Sequence, residues 1–349
     1  MKNAFIFIII FVLLIPVLAI SFISFGPKLI NQGFEALIFR GIGNQSPTSD
    51  VSDEIARYSL ATASAEDGHF LKIDPLKREL LYYVPSTGDV KSLSLDSSKS
   101  TPKTLAKIKP GSRSISWSDQ ANRLVANYGD GDTFYDLKTG DSRVYDLKMK
   151  IIVLSKDGSS IAYVYFNSST GVGNISVADV QAGSFKNLLP TRLDSWKIQW
   201  LSPKTLSIFS NSLFTLSTDS KTLTQIIENK EDLKVNWSPN GSSLIYSYAS
   251  NGERQTAYLP TPGSSSKTLP VSIDTSLCAW KTADMLYCLG DEESGDYKNK
   301  LISIELEKMK VVPLAPLPYL QANNPVFDST NNRLYFNDSI THSIKFISL

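Results

Sequence analysis

The chain has 349 residues, of which 42% are hydrophobic and 20% charged, so it can bury a substantial core. This composition excludes a disordered chain, a collagen-like repeat and a small disulfide-rich domain. A net charge of +1 gives no overall field for attracting nucleic acid. With only two histidines and two cysteines, the chain also has few ligands for zinc. We therefore predict no nucleic-acid partner and no cofactor.

The N-terminal segment predicts a helix that spans a membrane. Residues Ala4 to Phe25 carry no charge, and a helix of 22 residues reaches roughly 33 Å, enough for a bilayer core of about 30 Å. The alternative is a signal peptide cleaved after Ala19, although the apolar run continues for six residues beyond that site. A three-residue tail before the helix is typical of a signal anchor. We predict residues 1–27 as this anchor, with the remainder of a single-pass membrane protein outside the cytoplasm.

Residues 28–54 are predicted to join the anchor to a folded domain. Residues 28–40 have one apolar helical face, typical either of a helix lying at the lipid headgroups or of a continuation of the anchor. Residues 41–54 are rich in Gly, Ser, Asp and Asn, which indicates a linker. The folded domain is predicted over residues 55–349.

This domain repeats one unit seven times. In each copy an anchor residue ends a strand, a short polar turn follows, and a second strand rich in Leu, Ile and Tyr comes next. The first and last anchors are six intervals apart, at positions 73 and 327, so the mean interval is about 42 residues. The anchors are Ile73, Trp117, Leu154, Trp200, Trp237, Trp280 and Phe327. Four short strands in each such unit predict an all-β fold, a seven-bladed β-propeller.

The ring is predicted to close by strand exchange. After Phe327 the chain has room for only two more strands, which leaves the last blade one strand short. A strand-like run, residues 56–63, precedes the first anchor and can supply the missing strand.

The turn after one anchor carries a family resemblance. Residues 237–241, WSPNG, and more loosely residues 154–158, LSKDG, resemble the W-S-P-D-G turn of TolB-type, WD40-like β-propeller repeats. These repeats occur in bacterial envelope proteins and in prolyl-oligopeptidase-like peptidases. The resemblance covers residues 55–349 and implies the propeller fold, not a function. Two features of those relatives are missing from the sequence: the α/β domain of TolB and a G-x-S-x-G nucleophile elbow.

Two acidic loops are candidate binding elements. One contains Asp130 and Asp132, whose D-x-D spacing with Asp136 suits either a Ca²⁺ ligand set or a solvated turn. The other contains Asp291, Glu292, Glu293 and Asp296. Both are predicted between the second and third strands of their blades, where loops vary and binding residues usually lie. We predict this face as the recognition surface, favouring a basic or cation-bridged partner.

The cysteines and histidines each allow two interpretations. A three-residue turn at 282–284 would place Cys278 opposite Cys288, whereas a four-residue turn would shift the pairing by one and separate them. The two cysteines therefore form either a disulfide or two buried thiols. His69 and His342 are expected to lie near each other where the ring closes, either as an acid/base pair or as two polar loop residues.

The sequence favours binding over catalysis. It has no phosphate-binding loop, no H-E-x-x-H and no paired C-x-x-C motif. The predicted function is that of a membrane-anchored extracytoplasmic propeller that binds or scaffolds a protein, peptide or glycan. The alternative is a glycan lyase or hydrolase that uses carboxylates at the propeller channel.

Overall fold

The computed structural model describes residues 58–96, 100–119, 122–192, 195–291, 294–317 and 320–349. The predicted anchor (residues 4–25), the segment 28–40 and the linker 41–54 lie outside these ranges. Within them, no helix has the length and apolar character needed to cross a bilayer.

Seven four-stranded antiparallel sheets make up the described chain, so the prediction of an all-β, seven-bladed propeller is confirmed. At five of the seven seams the first strands of neighbouring blades contact one another, which places the first strands around the channel. Blades 1 to 7 begin at residues 69, 114, 149, 197, 231, 278 and 322.

The strands of blades 1 to 3 are β2 (His69–Asp74), β3 (Glu79–Val84), β4 (Asp89–Ser94), β5 (Lys103–Lys107), β6 (Ser114–Trp117), β7 (Arg123–Asn127), β8 (Thr133–Asp136), β9 (Ser142–Val144), β10 (Met149–Leu154), β11 (Ser160–Asn167), β12 (Val172–Asp179) and β13 (Lys186–Thr191). Those of blades 4 and 5 are β14 (Lys197–Ser202), β15 (Thr205–Phe209), β16 (Leu213–Ser217), β17 (Leu223–Ile227), β18 (Glu231–Trp237), β19 (Leu244–Ser250), β20 (Glu253–Leu259) and β21 (Lys267–Thr268). Those of blades 6 and 7 are β22 (Cys278–Trp280), β23 (Met285–Leu289), β24 (Lys300–Glu305), β25 (Lys310–Pro316), β26 (Ala322–Asp328), β27 (Arg333–Asp338), β28 (Ser343–Ser348) and β1 (Ser59–Ser64). Two short 3-10 helices, Thr275–Leu277 and Gly295–Tyr297, lie in loops of the described chain.

Strand exchange closes the ring, as predicted. β1 pairs antiparallel with β28, with Leu60 opposite Ile347 and Ala61 opposite Phe346. The strand runs from residue 59 to 64, slightly later than the predicted 56–63. Because the first described strand completes the last blade, the two ends of the ring are tied together and the edge of β28 is covered.

The seven anchors lie at the ends of the first strands of their blades or within two residues of them, and the four tryptophans among them also link neighbouring blades. Each indole Nε1 donates to an oxygen of the preceding blade. The pairs are Trp117 to Phe70 O (2.8 Å), Trp200 to Val153 O (3.4 Å), Trp237 to Ser207 Oγ (3.0 Å) and Trp280 to Asn236 Oδ1 (2.8 Å). A tryptophan at this position therefore combines an apolar surface with a donor that reaches the neighbouring sheet.

The apolar core is divided among the seams of the ring. Seven buried clusters occur in the described chain, one between each pair of neighbouring blades. Middle strands such as β3 are buried on both faces, which explains their continuous apolar sequences. A blade is therefore stabilised mainly by its neighbours.

The two faces of the ring carry different loops. One face, here the anchor-turn face, has the turns between the first and second strands, which contain two to six residues. The opposite face, here the variable face, has the second-to-third-strand loops and the connections between blades. Its second-to-third-strand loops range from two residues after β19 to ten after β23.

A disulfide closes the first hairpin of blade 6. Cys278 lies opposite Cys288 and the two sulfurs are bonded. Trp280 lies opposite Leu286, the register that the three-residue turn predicts. The pairing therefore links two adjacent strands of one blade.

Candidate functional site

Hydrogen bonds link three of the seven turns on the anchor-turn face. Asp119 N donates to Lys156 O at 2.6 Å, and Lys156 Nζ donates to Pro239 O at 3.1 Å. Lys72 Nζ of blade 1 also donates to Asp119 Oδ1 at 3.1 Å. These contacts connect the turns of blades 2, 3 and 5. They restrict the conformations that these turns can adopt around a partner.

At the seam between blades 2 and 3, strands of unequal length leave one blade partly uncovered. β11 and β12 have eight residues each, whereas β8 has four and β9 three. In the β11–β12 ladder, Tyr165 lies opposite Asn174 on the side of blade 3 that faces blade 2. β11 ends at the variable face. Its last residues therefore extend roughly 10 Å beyond the ends of β8 and β9, the shorter strands of blade 2.

The uncovered surface forms a groove on the outer wall of the ring, here called the rim groove. It has a volume of about 550 Å³, and its lining includes Val144, Tyr163, Tyr165, Phe185 and Asn187. Nine large apolar side chains are exposed in the described chain, and five belong to this part of the ring. These five are Val144, Leu147, Tyr165, Val172 and Phe185. Such clustering is typical of an interaction surface, since scattered single residues are the ordinary case.

A second cavity, here called the inner pocket, lies on the variable face of the same seam. It has a volume of about 350 Å³. Leu147 and Met149 line one part, and Arg113, Asp132 and Lys150 supply charged groups. The connection from β9 to β10 contributes residues to both cavities, because Tyr145 and Asp146 line the rim groove and Leu147 lines the inner pocket.

The first predicted acidic loop borders the inner pocket, but its two carboxylates differ. Asp130 is exposed and forms an ion pair with Lys109 at 2.6 Å; this hydrogen bond lowers the pKa of Asp130. Asp132 is half-buried and accepts the backbone N–H of Tyr128 at 2.9 Å. Burial raises the pKa of Asp132 despite that hydrogen bond. Asp136 lies at the other end of β8 and pairs with Arg123 at 2.8 Å, so it does not join Asp130 and Asp132 as a ligand set.

The second predicted acidic loop lies elsewhere on the ring. Asp291 accepts the hydroxyl of Ser294 at 2.6 Å, and Asp296 lies in the 3-10 helix Gly295–Tyr297. Glu292 and Glu293 are outside the described residues. Blade 6 is separated from blade 2 by blades 7 and 1, so the fold does not bring the two acidic loops together.

Both histidines lie close to the carboxylate of Asp67, which the sequence analysis did not identify. His69 Nε2 lies 2.9 Å from Asp67 Oδ1, and His342 Nδ1 lies 3.4 Å from Asp67 Oδ2. Partial burial raises the pKa of Asp67, but His69 and the amide of Asn337 outweigh it and lower that pKa. These residues lie where blade 7 meets blade 1, and a short acidic stretch before β2 was the only sequence signal for Asp67.

One carboxylate on a first strand, that of Asp232, is engaged by two cations. Asp232 of β18 contacts Arg254 at 2.7 Å and Lys234 at 2.9 Å. The hydrogen bond from Arg254 is the main cause that lowers the pKa of Asp232. Across the part of the chain that the structure describes, no three His, Cys, Asp or Glu side chains are grouped as a metal site requires.

Comparison with known proteins identifies the fold. No family model matches the chain, and neither does any curated protein. Among solved structures, an oligogalacturonate lyase in complex with manganese has a TM-score of 0.60 at 11% identity, covering 84% of this chain and 90% of that one. The β-propeller domain of Myceliophteria thermophila Cps50 (Swd1) has a TM-score of 0.61 at 12% identity, covering 83% and 100%. The WD40 repeats of RRP9 have a TM-score of 0.57 at 11% identity, covering 84% and 98%. At such identities the likeness shows the fold alone: the chain is a β-propeller similar to WD40 and other propeller proteins.

Proposed function

We propose that the chain is a binding propeller, anchored in a membrane by residues 4–25 and displayed outside the cytoplasm, which engages a protein or peptide through the seam between blades 2 and 3. The propeller fold suits a scaffold or binding role. The observation that carries the proposal is the concentration of exposed apolar side chains and two cavities at one seam. The anchor-turn face, by contrast, uses its polar groups to bond its own turns together.

A photo-crosslinking experiment tests the seam. Benzoylphenylalanine is placed at Phe185 in the rim groove or, as a matched control, at the exposed Pro203 in the anchor turn of blade 4. We expect the full chain in its native cells to form one discrete crosslinked product from position 185 and none from position 203. The opposite pattern would place the partner on the wrong face for this proposal.

A protease experiment tests the membrane topology. Protease added to intact cells or sealed spheroplasts should digest the propeller, because the anchor is proposed to hold it outside the cytoplasm. Protection until the membrane is lysed would reverse the orientation. An N-terminus mapped to Ile20 would show cleavage after Ala19.

The acidic loops are proposed to assist binding from the same face. Replacing Asp130, Asp291, Glu292, Glu293 and Asp296 with Asn or Gln should weaken binding of the crosslinked partner and flatten its salt dependence. Asp132 is left unchanged in this variant, because it lines the inner pocket beside Arg113 and Lys150. Unchanged binding would show that the apolar seam acts without them.

A lyase or hydrolase is the second candidate, favoured by one carboxyl group. Asp132 lines the inner pocket, and burial raises its pKa, as a general acid requires. The similar oligogalacturonate lyase structure belongs to this class of enzyme. Turnover of an acidic oligosaccharide by the full chain, abolished by Asp132→Asn, would replace the binding proposal with this one.

A further inference from the structure

The inner pocket presents two cations that share one nearby carboxylate, Asp132. Arg113 immediately precedes β6 of blade 2, and Lys150 lies in β10 of blade 3, so they approach the pocket from adjacent blades. Both side chains are exposed, and neither has an ion-pair partner within the described ranges. Asp132 is the carboxylate of the lining, which leaves the lining with a charge of +1 when Asp132 is ionised.

Hydrogen bonds fix the backbone at Arg113. Arg113 N donates to Asn127 O at 2.8 Å, and the preceding Ser112 N donates to the hydroxyl of Tyr83 at 3.2 Å. The guanidinium lies against Gly129, where an added Cβ atom would come within 2.6 Å of Nη2. An alanine at 129 would therefore push the guanidinium away from its present place.

The remaining wall of the pocket combines apolar and polar groups. Leu147 is 58% exposed and Met149 lies beside it, whereas Asn127 is polar. Burial raises the pKa of Asp132, while both cations act to lower it, so this carboxylate is attracted to them; it also accepts the N–H of Tyr128. The pocket therefore offers a net positive charge beside an apolar surface.

We propose that the inner pocket binds the C-terminal carboxylate of a partner peptide whose last residue is apolar. Arg113 and Lys150 contact the carboxylate, while Leu147 and Met149 contact the last side chain. This inference rests on the proposed binding function and names the chemistry of the partner. An acidic sugar fits the apolar part less well, since hydroxyl groups placed against Leu147 and Met149 would lose water without gaining partners. The rim groove beyond Leu147 can accept earlier residues of the same tail.

Equilibrium dialysis of the full chain in detergent micelles, with labelled N-acetyl-L-leucine as the probe and empty micelles as the blank, tests this site. We expect saturable binding, at least tenfold weaker for N-acetyl-L-leucinamide, which lacks the carboxylate. Arg113→Gln and Lys150→Gln should each weaken binding about tenfold or more. Lys148→Gln, at an exposed lysine outside the pocket, is the matched control and should bind as the wild type does. Gly129→Ala displaces the guanidinium without removing it and should also weaken binding.

Three outcomes would overturn the proposal. They are no saturable binding, equal binding of the acid and the amide, or normal binding by Arg113→Gln. D-galacturonate binding more tightly than N-acetyl-L-leucine would assign the pocket to acidic sugars instead. Phe185→Ser in the rim groove separates this proposal from the general one. It should reduce partner crosslinking through a probe placed at Val144 and leave binding of N-acetyl-L-leucine unchanged. Failure of the crosslink alone would therefore count against the seam as a protein site, not against the carboxylate pocket.

Discussion

The tryptophan that joins blades 4 and 5 gives a quantitative test of how the ring is held together. Trp237 is 5% exposed and its Nε1 donates to Ser207 Oγ at 3.0 Å, while Ser207 is completely buried. Trp237→Phe removes the indole donor and leaves the buried hydroxyl of Ser207 without this hydrogen bond. The loss should lower the free energy of unfolding by about 1–3 kcal/mol. The smaller ring also leaves roughly 40 Å³ empty, which adds about 1 kcal/mol. We expect a total loss of about 2–4 kcal/mol in the free energy of unfolding.

Trp200 provides the matched control. It occupies the same position in blade 4 and is 6% exposed, but its Nε1 lies 3.4 Å from Val153 O, at the limit of a hydrogen bond. Trp200→Phe should therefore cost little more than the volume term, about 1 kcal/mol. Urea unfolding of the full chain, followed by far-UV circular dichroism, measures both losses independently of tryptophan fluorescence.

A double-mutant cycle isolates the hydrogen bond. Trp237→Phe and Ser207→Ala together should destabilise the chain by about 1–2 kcal/mol less than the sum of the two single losses, because the second change removes the stranded partner. Additive losses would refute the reasoning that the hydrogen bond from Trp237 to Ser207 stabilises the contact between blades 4 and 5. A Trp200→Phe variant that is as destabilised as Trp237→Phe would refute it too.

Three further predictions concern the closure, an ion pair and the disulfide. Deleting residues 55–64 should sharply lower the melting temperature measured by calorimetry, because it removes β1 and exposes the edge of β28; an unchanged melting curve would contradict closure by strand exchange. Burial tends to raise the pKa of Asp136, but the hydrogen bond from Arg123 and two backbone N–H groups lower that pKa overall. The ionised carboxylate of Asp136 therefore stabilises the fold above the unfolded pKa near 4, and this stabilisation is lost as the pH falls through the lowered pKa. Asp136→Asn should therefore flatten the loss of stability in acid titrations, and parallel curves for the two proteins between pH 5 and 2 would oppose this. Replacing Cys278 and Cys288 together with Ser should lower the free energy of unfolding by about 2 kcal/mol, and free thiols in the unreduced wild type would contradict the bond.

The sequence by itself determined the architecture of this protein. The spacing of the anchors predicts seven blades, because each short amphipathic strand needs a neighbour and the turn residues mark where each strand ends. The missing strand after Phe327 and the extra one before Ile73 together predict the closure, since both are visible as local patterns. The sequence allowed two registers for Cys278 and Cys288, one for each turn length, and the structure shows the register of the three-residue turn.

Only the tertiary structure decided which surfaces of the ring are exposed, apolar or charged. The seam between blades 2 and 3 leaves part of blade 3 exposed because β11 and β12 are longer than β8 and β9. This difference in length exposes a surface only when the two blades pack side by side. The acidic residue Asp130 is paired with Lys109, which comes from the connection that follows the outer strand of the preceding blade. Asp67 joins His69 to His342 across the closure, although the two histidines lie at opposite ends of the domain sequence. Local periodicity specifies which face of a strand is buried, but the exposure and charge of a seam depend on contacts between blades that are distant in sequence, and these exist only in the closed ring.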